Sequence, residues 1–169
     1  MVLPNTSNPS VVHQSAFTLI EIMIVLGLIA LGFSLTLYIN WNSYDRSHFA
    51  RERDTILGTL YKARSHASNN MCFGATCTDG KPHGVYFGTP GEYVIFQGTS
   101  YETRDTSEDE VIHRTHDAVG VSGLSSVVFS RLRAEATLTP AGQSLTITGD
   151  GGTVTHIHIS GEGRIWWEL

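Results

Sequence analysis

The chain has 169 residues, 41% of them apolar, which suffices for one core-bearing domain plus an appendage. Eleven Lys and Arg against 16 Asp and Glu leave a net charge of -5, which argues against general nucleic-acid binding through a basic surface. There is no phosphate-binding glycine loop and no Gly-x-Ser-x-Gly elbow, so the sequence offers no catalytic constellation, and an enzyme is not expected.

Residues 1–16, MVLPNTSNPSVVHQSA, carry no Lys, Arg, Asp or Glu and read as a leader. From Ile22 to Ile39 only Ser34 and Thr36 interrupt an apolar run. As a helix this run would span roughly 27 Å, close to the hydrocarbon thickness of a bilayer. A transmembrane helix over 17–41 is therefore expected, with Trp41 and Tyr44 suited to the membrane interface. Glu21 stands just ahead of the run. A carboxylate there is costly unless paired or protonated, and such residues usually mark function.

Beyond Trp41 the pattern stays helical over 42–68. Phe49, Ile56, Leu60, Ala63 and Ala67 fall on one stripe at three- and four-residue steps, with the charged residues mostly off it. That stripe should pack against something folded later in the chain, with an amphipathic surface helix as the alternative.

Residues 69–169 change texture to short β-type runs: GVYF, EYVIFQG, EVIHRT, SSVVFSRL, ATLT, SLTITG, TVTHIHIS and RIWWEL. GTPG at 88–91 and GDGG at 149–152 read as hairpin turns, so sheet neighbours are expected to be sequential and antiparallel. In TVTHIHIS, Val154, Ile157 and Ile159 are expected near one register and His156 with His158 on the other, with a bulge between Thr155 and Ile157. The segment YETRDTSEDE, with five acids against Arg104, reads as an acidic loop.

Cys72 and Cys77 are close enough for a small disulfide-closed loop, which in an exported domain would contribute on the order of 2 kcal/mol. Zinc would need more ligands: His66 and His83 flank the pair, but there is no second Cys pair. His113 with His116, and His156 with His158, have permissive spacing without an assignable third ligand, so no metal and no cofactor is expected.

FTLIE followed by a long apolar helix resembles the class III signal of type IV prepilins and type II secretion pseudopilins. LYKARSHASNN, HGVYF and HISGEGRI resemble the GspH/FimT group of minor pilin-like proteins. The resemblance implies an α+β, pilin-like fold: a long N-terminal helix, half transmembrane and half amphipathic, packed on an antiparallel β-sheet domain. It also implies cleavage by a prepilin peptidase between Ala16 and Phe17 and methylation of the new amine of Phe17. Glu21, the fifth mature residue, would pair with that amine on a neighbouring subunit. Two poorly solvated charges of opposite sign stabilise each other, and the pairing can set register.

The implied partners are other pilin or pseudopilin subunits, the peptidase and the inner membrane, crossed once, with a periplasmic or extracellular C-terminal domain. The alternative is a DNA-binding minor pilin that uses Arg164, helped by Arg131 and Arg133, with Trp166 and Trp167 stacking on bases. Competence-type members resemble one another in Gly-Arg-x-Arg, whereas Gly163, Arg164, Ile165 and Trp166 lack the second arginine.

Overall fold

A computed structural model describes residues 17–75, 77–114, 119–149 and 152–168, without the side chains of 36–45. The leader, Ala16, His116 and the interface residues Trp41 and Tyr44 therefore lie outside the described residues or side chains. Helix α1 runs Leu19–Ser68. The chain divides into two compact units, Met1–Trp41 and Asn42–Leu169.

In the first unit the described helical side chains are exposed, because apolar residues surround the whole circumference and nothing in this unit covers them. Among the described residues no helix is long and apolar enough to cross a membrane. The apolar run expected to do so, Ile22 to Ile39, continues beyond Leu35, the last described side chain of that unit.

In the second unit α1 buries the expected stripe: Phe49 at 8% exposure, and Ile56, Leu60, Ala63 and Ala67 at 0%. Glu52 is also fully buried, the exception to charge lying mostly off this face. Just beyond the end of the helix, Asn70, with φ of 56°, takes the left-handed turn that usually calls for glycine. Two bonds close that end: Met71 N–H donates to His66 O at 2.9 Å, and Leu132 N–H, from a distant loop, donates to Ala67 O at 2.9 Å.

The strands are β1 (His83–Tyr86), β2 (Glu92–Gln97), β3 (Glu110–His113), β4 (Gly120–Ser122), β5 (Ser126–Phe129), β6 (Ala136–Thr139), β7 (Leu145–Thr148), β8 (Val154–Ile159) and β9 (Ile165–Glu168). They form two antiparallel sheets, ordered β3-β2-β1-β5-β6 and β4-β7-β8-β9. The architecture is α+β, as expected. Antiparallel pairing holds throughout, but sequential pairing does not: β1 pairs with β5 and β4 with β7. Short turns dictate only the local hairpins, whereas these two contacts are set by burial of Val85 against Val127 and of Ile147 behind Val121.

β8 contains no bulge. It pairs continuously with β7 from Leu145↔Ile157 to Thr148↔Val154, so Thr155, Ile157 and Ile159 face the core and Val154 faces outward. The mistaken side for Val154 arises because Thr155, an alcohol, occupies the buried position. His156 and His158 share the outer face, as expected. The core joins α1 to both sheets through Ile56, Leu60, Val85, Phe129, Leu145 and Ile157, among others.

Gly84 is required where it stands: a Cβ would meet the Phe96 ring and, at 2.7 Å, Val127 O. The outer face of the five-stranded sheet is closed by the acidic segment. Tyr101 stacks on Tyr86 at 3.7 Å and lies under the Arg104 guanidinium at 3.5 Å, while Arg104 Nε donates to Asp109 Oδ2 at 2.8 Å. The segment is a folded, internally paired surface.

Candidate functional site

The N-terminal end of α1 is assembled from four consecutive residues. Thr18 precedes the first helical residue, and Glu21 N–H donates to Thr18 Oγ1 at 3.3 Å and to Thr18 O at 3.1 Å. Thr18 thus caps the helix, and Thr18-Leu19-Ile20-Glu21 has the pattern of a capping box. Glu21 sits in the first turn, where the unsatisfied N–H groups favour negative charge. Its side chain is exposed, and Phe17 is 76% exposed. The carboxylate at Glu21 and the chain atoms of Phe17 are therefore open to a partner from outside this chain. The sequence reading missed the cap, although Thr three residues before Glu is its ordinary signature.

Cys72 and Cys77 are joined as a disulfide, with their Cα atoms 5.8 Å apart. The loop they close is clamped to β2 by Gln97, which is 2% exposed. Its Oε1 accepts from Phe73 N at 2.8 Å and its Nε2 donates to Phe73 O at 2.9 Å.

Phe73, His66 and His83 pack edge to face, with centroids 5.2 to 5.7 Å apart. His83 is 1% exposed and its Nδ1 lies 3.0 Å from Lys81 O. A carbonyl only accepts, so Nδ1 carries the proton and Nε2 presents a lone pair, for which there is no donor among the described residues. Burial, with His66 alongside, lowers the His83 pKa to about 4; the bond to Lys81 O opposes the shift. His66 is lowered too, by burial and then by Lys62.

Together these rings line a cleft of about 270 Å³ whose rim carries Glu108, Asp109 and Glu110. Among the described residues no group of three or more His, Cys, Asp or Glu could hold a metal ion.

Three further histidines have local polar partners. His113 Nδ1 lies 3.2 Å from Glu92 Oε1, His156 Nδ1 lies 3.1 Å from Thr146 Oγ1, and His158 Nε2 lies 2.9 Å from Glu168 Oε1.

Arg164 is exposed at the start of β9, and Gly163 before it has φ of 76° and packs against Ala134 O. Trp166 is 43% exposed with one face stacked on His158 at 5.3 Å, and Trp167 lies beneath Arg53 at 4.3 Å. Arg131 and Arg133 approach Asp79 at 3.8 Å and Glu135 at 3.6 Å. The two tryptophans thus already have partners on one side.

Glu52 is the polar group that the sequence reading did not single out. Buried on α1, it accepts a hydrogen bond from Tyr93 Oη on β2 and from Arg114 Nε at 3.2 Å. Burial, followed by the bond to Glu52, pushes the Tyr93 hydroxyl pKa upward, so it stays protonated and donates.

The prokaryotic N-terminal methylation motif matches residues 12–37, spanning Ala16, Phe17 and Glu21. The chain thus carries the type IV pilin-like signal at its N-terminus, and the motif goes with peptidase processing and with assembly alongside other pilin subunits. No curated protein and no solved structure matches the chain.

Proposed function

We propose that this chain, bearing the type IV pilin-like signal, is a minor pilin or pseudopilin: a structural subunit of a type II secretion or type IV pilus filament, akin to the GspH/FimT group. The observation that carries the reading is the methylation motif at 12–37, which brackets the Ala16–Phe17 junction and Glu21. In this reading the peptidase cuts after Ala16 and the amine of Phe17 is methylated. The helix crosses the inner membrane once and leaves Asn42–Leu169 on the periplasmic or extracellular side. Glu21 then meets the Phe17 amine of a neighbour as the subunit enters the filament.

Support comes from the exposed helical stretch 19–35, whose apolar side chains lack a cover within their unit, and from the Cys72–Cys77 bond, which suits an oxidising compartment. The chain catalyses nothing in this reading. DNA binding is the lesser alternative: the net charge is -5, and Trp166 and Trp167 already stack on chain partners.

Intact mass of the protein extracted from membranes that contain an active prepilin peptidase tests the proposal. The expected species begins at a methylated Phe17 and has no free thiol. Recovery of Met1 at the N-terminus in such cells would remove the filament reading.

A further inference from the structure

The cleft between the disulfide loop and the acidic segment is short of hydrogen-bond donors. His83 lines it at 1% exposure; with the Nδ1 proton given to Lys81 O, the enclosed Nε2 lone pair has no donor among the described residues. Gln97 cannot supply one, since both ends of its amide are committed to Phe73. A buried acceptor without a donor is unfavourable, and a ligand that donates there relieves it.

The rim is unfilled in the same sense. Asp109 accepts from Arg104 and Glu110 from Lys62, while Glu108 has no ion pair among the described residues. Gly74 makes room for that carboxylate: a Cβ there would come within 2.9 Å of Glu108 Oε1, so Glu108 lies against the disulfide loop. Lys62 does not reverse the sign of the cleft, because Glu110 pairs with it at 2.5 Å and burial, followed by Lys62 itself, disfavours charge on His66.

A carboxylate and a neutral imidazole nitrogen together call for positive charge and N–H groups on one ligand. A metal ion does not fit, since no three His, Cys, Asp or Glu among the described residues could hold one. An ammonium gathers its donors on a single, strongly hydrated atom. A guanidinium spreads five N–H groups over three nitrogens, pairs with a carboxylate, sheds water more readily and lies against aromatic rings such as Phe73. The same combination is already built a few residues away, where the Arg104 guanidinium lies 3.5 Å from the Tyr101 ring centre and donates to Asp109.

We infer that this cleft is a binding site for a guanidinium group, held by the Glu108 carboxylate and the His83 Nε2 lone pair beside the Phe73 ring. Its volume of about 270 Å³ suits a group of that size, carried by a free alkylguanidinium or by an arginine side chain. The inference goes beyond the filament reading and does not need it.

The test is a titration of the full-length chain in neutral detergent with ethylguanidinium, followed by nuclear magnetic resonance of the His83 imidazole nitrogens and the Phe73 ring. Both should shift saturably and in parallel. Glu108→Gln, a rim substitution that keeps size, should weaken binding roughly tenfold by removing a charge-assisted bond. Glu102→Gln, at an exposed acid of the same segment outside the cleft, should leave the affinity unchanged. Retained resonances elsewhere check that each variant folds. A blocked Gly-Arg-Gly peptide distinguishes the sources: tighter binding than ethylguanidinium assigns the group to an arginine in a chain, and failure to enter assigns it to a free solute. No saturable shift at His83 would overturn the site. So would an equal shift with tetramethylammonium, which has the charge but no N–H, or equal weakening by Glu108→Gln and Glu102→Gln. None of these outcomes alters the mass of the processed chain, so the filament reading is judged separately.

Discussion

Two stretches of one helix use the same residue types to opposite ends. Between Leu19 and Leu35 the large aliphatic and aromatic side chains are 46% to 79% exposed, whereas Phe49, Ile56 and Leu60 are 8% exposed or less. The difference lies in distribution around the helix. In the first stretch apolar residues occupy every direction, so no single sheet could cover them; in the second they form one stripe, and the two sheets cover it. The first stretch is left uncovered within its own unit, and the second is covered by the sheets of its own. Polar residues follow the same division: Glu52 is matched internally by Tyr93 and Arg114, while the exposed Glu21 side chain has no ion pair among the described residues.

The largest expected effect breaks the internal match. Arg114→Leu takes the guanidinium away from the buried Glu52 carboxylate and should cost on the order of 3–5 kcal/mol in denaturant unfolding of the β domain; adding Glu52→Leu should restore most of it. A loss that the second change does not relieve would show that Arg114 acts elsewhere. The second expectation sets one leucine against another. Leu60→Ala should cost about 2–5 kcal/mol, since residue 60 is fully buried, while Leu28→Ala, at 65% exposure, should leave unfolding of the β domain unchanged.

The third expectation concerns pH. His83 binds its proton with a pKa of about 4 in the fold and near 6.5 when unfolded, so the unfolded chain holds more protons between those values. Stability is then full above about pH 6.5 and falls as pH drops towards 4, by on the order of 3 kcal/mol in all. His83→Phe should flatten that slope, and an unchanged slope would assign it to another group.

Legibility in the sequence follows the range of the forces. The helical stripe from Phe49 to Ala67 and the strand runs around Val94 and Ile157 were readable because their periods reflect one-sided burial within a few residues. β4, three residues with Gly120 and Ser122 at its ends, is too short to show a period. The partners of Glu52 lie 41 and 62 residues away, and pairing at that distance leaves no local mark. At the N-terminus the motif is legible, and the Thr18 cap is a local feature of the same four residues, three positions ahead of Glu21.

Glu21 tests the central claim, that the N-terminal stretch is built for neighbours. Its cap and its charge must be separated: Thr18→Val removes the Oγ1 acceptor and keeps the carboxylate, while Glu21→Ala does the reverse. The decisive measurement is crosslinking of Glu21→Ala to neighbouring filament subunits, with its membrane level and processing as controls and Thr18→Val alongside. The account predicts normal membrane level and cleavage for Glu21→Ala with crosslinking lost, and crosslinking kept by Thr18→Val. Normal crosslinking by Glu21→Ala at normal membrane level would contradict it.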